Sequence, residues 1–263
     1  MCEKDDAMND KFYIEAYVKY REKIKDTNFS EKPVPYGWFN LPAQVGPEWF
    51  IYCEILKDLS RQLANDINQL WRDIVKLEAW SKVLSSSNYD EKEKFYLLVE
   101  FVESLAIVAL NLPHAIRARF IFSLSHICHQ ANRIKDSNWV DDLPNGRFIN
   151  FKTMDKKCAS WKSYNNFKLQ FSKIANEKFV SDTSEFRHRF HHQVPVLVEI
   201  GITHLVSRHK TKDKHVGYGI GGIQPISLNN IVDILKNQYM RITECFEEYQ
   251  KLVSEQLNEI FGT

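Results

Sequence analysis

Positions 184 to 195 read SEFRHRFHHQVP, and the six positions from 187 to 192 hold Arg187, His188, Arg189, His191 and His192, three of the nine histidines in the chain. Imidazole titrates near neutral pH and can take or give a proton. Guanidinium stays charged and can grip two phosphate oxygens at once. Together they suit a phosphodiester of ribose, which needs a base for the 2′-hydroxyl, an acid for the leaving oxygen and positive charge on the phosphorane. That chemistry requires no metal. The plain structural alternative is a solvated helix turn whose Phe186 and Phe190, four residues apart, face the core.

Pro195 bears on how these groups can meet. On a straight helix, residues five apart sit about 140° around the axis, so Arg187 and His192 diverge, whereas Arg187 and His191 share a face. Pro195 removes the amide that would bond the His191 carbonyl and moves Val194 away from helical angles. A break is therefore expected between positions 191 and 195, able to swing His192 towards Arg187. A helix restarting at Pro195 would aim free amides at the site, ready for a phosphate. His192 is the first candidate for proton transfer and His191 its rival.

The elements that must position this stretch are helical. Leu56, Leu59, Leu63, Ile67, Leu70, Ile74, Leu77 and Leu84 make one apolar stripe over residues 48–84. Asp90 and Glu93 form a capping box for a helix to about residue 110. Asn111-Leu112-Pro113 reads as a stop followed by a new helix to about residue 134. Residues 136–156 look irregular, with a turn at Pro144-Asn145-Gly146 and room for a short hairpin. Trp161, Tyr164, Phe167, Phe171 and Ile174 mark another helix, and Asp182 with Glu185 a second capping box opening the helix of the quoted stretch. The last helix spans about 227–260, and a shorter one 10–25. The expected fold is all-α, an up-and-down bundle of long helices, with an N-terminal helix and proline-containing linker at 1–46 and the bundle domain at 47–263.

Composition narrows the function classes. In 263 residues the net charge is +1, so binding to nucleic acid would need a local patch. Nine glycines and eight prolines argue against a turn-rich all-β fold. Cys2, Cys53, Cys128, Cys158 and Cys245 are scattered and odd in number, which fits neither a disulfide framework nor a zinc ribbon. The opening MCEKDDAMND lacks an apolar signal region, and FYLLVEFVESLAIVALNL carries Glu100 and Glu103. The expectation is a cytoplasmic protein without a membrane partner.

Arg187 followed by His188 and, after four intervening residues, His192 resembles the HEPN superfamily of helical-bundle proteins, whose signature is an arginine, four to six residues, then a histidine. Arg119 to His126 and Arg208 to His215 share that spacing; the polar His188, the helical context and Pro195 single out Arg187. The resemblance implies a homodimer in which Arg187 and His192 of two copies form one composite, metal-independent endoribonuclease site with His188 and His191 beside them. It implies no cofactor and RNA as substrate. It also implies a toxin or anti-phage role, with an antitoxin or nucleotidyltransferase partner. The alternative within the same fold is a non-catalytic module that binds RNA or protein, and a metal-dependent hydrolase built on the histidines is a third reading.

Other residues fill out this picture. Arg189, Arg208, Lys210, Lys212 and Lys214 are candidate RNA contacts, the last four in the basic stretch SRHKTKDKHVGYGIGG. If the helix ran unbroken from 192 to 210, that stretch would lie about 27 Å from the histidines. Gly217, Gly219 and Gly222 match GxGxxG but follow a helix, which favours a mobile turn between helices over a dinucleotide site. His126, Cys128 and His129 read as packing on an amphipathic helix, not a zinc site. Arg117 and Arg119 are either solvated or part of a nucleic-acid surface.

Overall fold

A computed structural model of the chain describes residues 3–27, 29–210 and 216–262. The fold is all-α and dominated by long helices; the one sheet among the described residues has two strands. In chain order the helices are α1 (Glu3–Lys23), α2 (Pro47–Ser86), α3 (Glu91–Leu97), α4 (Glu103–Ala131), α5 (Phe151–Cys158), α6 (Tyr164–Phe171), α7 (Glu177–Asp182) and α8 (Phe186–His192). The strands β1 (Val206–Lys210) and β2 (Val216–Ile220) follow, and α9 (Leu228–Phe261) closes the chain.

Two compact units share these elements, and α2, α4 and α9 contribute a segment to each. One unit comprises residues 1–30, 72–111 and 177–236. Its core holds Trp80 stacked between Tyr20 at 4.7 Å and Phe101 at 4.8 Å, with Phe179, Phe186 and Ile231 buried. The other comprises residues 31–71, 112–176 and 237–263. There Phe120 meets Phe167 and Tyr249 edge-on, and the Tyr249 hydroxyl bridges Ser60 at 2.9 Å and Ser123 at 3.0 Å. Burial pushes that phenol up to about 12, so it stays protonated and able to donate.

The apolar stripe of α2 runs as expected, with Leu56, Leu63, Ile67, Leu70, Ile74 and Leu77 buried. The capping box before α3 is present in both directions, Asp90 accepting from the Glu93 amide and Glu93 from the Asp90 amide. Such a box contributes about 1 kcal/mol. A single π turn, Leu98–Val102, then joins α3 to α4 without a gap.

The expected stop at Asn111-Leu112-Pro113 does not occur: Pro113 lies inside α4. The proline deletes one amide, but the helix continues because Ala109, Leu110 and Ile116 are buried on either side of it. The Asn111 amide donates to the Ile107 carbonyl at 2.8 Å. The run Glu91–Ile134 is long and apolar enough to cross a membrane by length and composition, and 33% of its most apolar window is buried. No hairpin forms among residues 136–156. Asn150 instead caps α5 through the Lys152 and Thr153 amides, starting a helix inside the segment expected to be irregular.

Candidate functional site

The second capping box is absent, and α8 starts later than expected. Asp182 ends α7 and pairs with Lys178, so it lacks the extended backbone an N-cap requires. The chain turns through two left-handed residues, Ser184 at φ 52° and Glu185 at φ 57°, and Phe186 opens α8 with no side-chain cap. Neither residue is glycine, so each left-handed angle costs about 1–2 kcal/mol. Burial of Phe179 and Phe186, each 2% exposed, offsets that cost.

The break falls after His192, where Gln193 leaves helical angles at φ −142° and ψ −144°. His192 therefore stays on the helix and does not swing towards Arg187. Its ring packs at a tilt against that of His188, centroids 5.3 Å apart, while Phe190 packs edge-on to His191 at 5.3 Å and flat on Phe186 at 5.9 Å. Within one chain, His191 shares the side of Arg187 and His192 lies about 140° away. All four candidate catalytic side chains, of Arg187, His188, His191 and His192, are exposed. Arg187 makes no hydrogen bond or ion pair among the described residues. Its neighbour Arg189 is held to the fold, by a 2.9 Å bond to the Ser184 carbonyl and a 3.6 Å ion pair with Glu185.

No helix restarts at Pro195, so no helix N-terminus faces the histidines. Val196 and Val198 alternate into the core, and the β-branched run is held extended by a parallel bridge from Val198 to Ile226. The unbroken helix from 192 to 210 is likewise absent, and the chain just before the basic stretch lies beside α8. His204, which no periodicity in GITHLVS singles out, has Nε2 3.1 Å from the Val194 carbonyl and 3.4 Å from Arg189. A ring nitrogen cannot both donate to that carbonyl and accept from the guanidinium, so the tautomer decides which bond forms.

The glycine stretch is not a turn between helices. Gly217 and Gly219 sit within β2, which pairs antiparallel with β1 in the register Val206 to Ile220, Arg208 to Tyr218 and Lys210 to Val216. Arg208 is exposed. Lys212 and Lys214 lie outside the described residues.

The remaining candidates serve the fold. Arg117 donates to the Phe171 and Ile174 carbonyls at 3.1 and 2.6 Å and lies 4.4 Å over the Phe171 ring. Arg119 pairs with Asp66. His129 is buried with Nε2 2.9 Å from Asp141, tying the following loop to α4, while Cys128 meets Cys158. Among the described residues, no three His, Cys, Asp or Glu side chains could hold a metal together. Hollows of about 700 and 800 Å³ beside Trp38 and about 500 Å³ beside Phe122 include no residue of α8.

His126 packs its ring against Phe122 at 4.4 Å, and its Nε2 is buried without a partner among the described residues. Burial and the nearby His129 hold its pKa below the usual imidazole range. The unfolded chain therefore binds this proton first as pH falls through about 6.5. Stability should be full above that pH and decline below it. His126→Phe should flatten the fall in urea midpoint between pH 7 and 5, and an unchanged slope would show that His126 is not its source.

Comparison of the chain with known protein families, with curated proteins and with solved structures gives no match.

Proposed function

We propose that this chain is a metal-independent endoribonuclease of HEPN type, acting as a homodimer. The observation that carries the reading is the state of α8. It holds one arginine unused by the fold and three histidines, all exposed on seven residues, while Arg117, Arg119 and Arg189 are taken up by carbonyls and carboxylates. Because Arg187 and His192 point to different sides of one helix, a second copy is needed to bring those two side chains to the same phosphate.

In such a site His192 removes the 2′-hydroxyl proton, and the freed oxygen attacks phosphorus. The bond to the 5′-oxygen breaks, and that oxygen leaves with a proton from a second imidazole. Arg187 holds the non-bridging oxygens as negative charge builds on them. The products are a 2′,3′-cyclic phosphate and a 5′-hydroxyl. An enzyme that cuts RNA this way needs restraint, so a toxin or anti-phage role in the cytoplasm, with an antitoxin or nucleotidyltransferase partner, belongs to the same proposal.

The test is incubation of the purified chain with RNA in excess chelator, reading the ends of the fragments. A 2′-deoxy substitution at the cut should block it. Exposure of all four side chains on the single chain favours a second reading, a module of the same fold that binds RNA or protein without cutting. A folded dimer that binds RNA and leaves it intact would replace the first reading with the second.

A further inference from the structure

The hairpin of β1 and β2 has no evident structural purpose. A lone two-stranded hairpin is marginal in water and is expected to pack on something. Here Tyr218 is 76% exposed, Ile220 96% and Val206 63%. The register places Val206 and Arg208 on the same face as Ile220, Tyr218 and Val216. The opposite face of β2 is Gly217 and Gly219, and a Cβ built on Gly217 would meet nothing within 4 Å. On β2 one face is bare backbone, paired across to Ser207 and His209 of β1, and the other carries large side chains into solvent.

Charge says what could cover it. Residues 208–215, RHKTKDKH, hold Arg208, Lys210, Lys212 and Lys214 against Asp213, a net +3 in eight positions of a chain whose total is +1. A stretch of that net charge repels a second copy of itself. An anionic partner is favoured, and the Arg208–Tyr218 cross-strand pair sets a phosphate-binding fork beside a ring that can stack on a base. Stacking needs unpaired bases. A-form duplex RNA hides them and is read through its shape and backbone.

We propose that this hairpin grips single-stranded RNA, Tyr218 stacking on a base and Arg208 holding the adjoining phosphate. The root of the hairpin adjoins α8: Gly221 donates to the Leu205 carbonyl at 2.9 Å, and His204, just before β1, has Nε2 within reach of both the Val194 carbonyl and Arg189. The hairpin therefore meets α8 on its Arg189 side, about 60° around the axis from His192. The inference rests on RNA as the ligand in the reading above, but not on its cleavage.

The experiment is fluorescence anisotropy of the full chain with a labelled 2′-O-methyl oligoribonucleotide, as a single strand and in duplex. That strand cannot be cut through a 2′-hydroxyl, so failed binding and failed cleavage remain separate results. The single strand should bind more tightly. Tyr218→Ala should weaken it about tenfold while Tyr218→Phe keeps it, since only the ring stacks. Arg208→Gln should lower the slope of log affinity against log salt by about 0.7, the loss of one phosphate contact on a single strand. Tyr218→Ala binding like wild type, or tighter binding of the duplex, would overturn the proposal. So would a dimer that dissociates in Tyr218→Ala with RNA affinity unaltered, which would make the hairpin a self-association surface.

Discussion

Arg187→Ala and His192→Ala should each lower metal-independent RNA cleavage by about 10²–10⁴, the range for loss of one proton-transfer or charge-stabilising group. Neither change should unfold the chain. Both side chains are exposed, and Arg187 bonds nothing among the described residues, so circular dichroism and Tm should stay close to wild type. The informative step is mixing the two inactive variants. On one helix the two side chains lie about 140° apart, which argues that the working pair comes from two copies. A mixed dimer then keeps one intact pair, the arginine of one copy with the histidine of the other. Activity should return to at most about half of wild type, since half of the dimers are mixed and each keeps one arginine and one histidine in its composite site. No recovery in mixtures shown to exchange subunits would mean that the pair lies within a single chain, and His191, on the same side as Arg187, would replace His192. Full activity in both single variants would remove the site from α8 altogether.

The largest effect on stability is expected at Phe120. Its ring is fully buried in α4 and meets Phe167 at 5.6 Å and Tyr249 at 5.9 Å, so it joins α6 and α9 to α4. Phe120→Ala removes a large apolar surface and leaves a cavity that rigid helices fill poorly, costing about 3–5 kcal/mol. For a chain of this length that corresponds to a fall in Tm of roughly 6–20 °C. Differential scanning calorimetry checks it. A fall under about 2 °C would mean that the helices collapse around the gap and that this aromatic contact is not central to the core.

How far the structure could be read from residues alone depended on the range of the interaction. The stripe on α2 and the Asp90–Glu93 box are local, three or four residues apart, and both are present as expected. Pro113 carries a strong local signal that burial on both sides of it overrides. Asp182 has the right residue type and spacing for a cap, yet it ends the preceding helix, so its backbone is wrong for the role. At Pro195 the break was legible, but the extended run after it was not. Val198 enters a bridge because Ile226, 28 residues beyond it, lies alongside to pair with it. The hairpin was not legible because Gly217 and Gly219 leave one face of β2 without side chains, and the usual alternation of apolar and polar residues is missing.

By itself the sequence determined that an arginine and three histidines share one short helix ended before Pro195, because helix period and the missing proline amide act within a few residues. The tertiary structure decided which cations remain available. Arg189 is bound to the Ser184 carbonyl and Arg117 to those of Phe171 and Ile174, while Arg187 meets none of the described groups. It also decided that Val206–Lys210 and Val216–Ile220 pair as strands, with His204 just before them lying 3.4 Å from Arg189 of α8, in place of a helix continuing from 192. The physical reason is the same in each case. A guanidinium goes to whichever carbonyls or carboxylates the fold brings within 3 to 4 Å of it, and those belong to turns and helices whose positions no local spacing encodes.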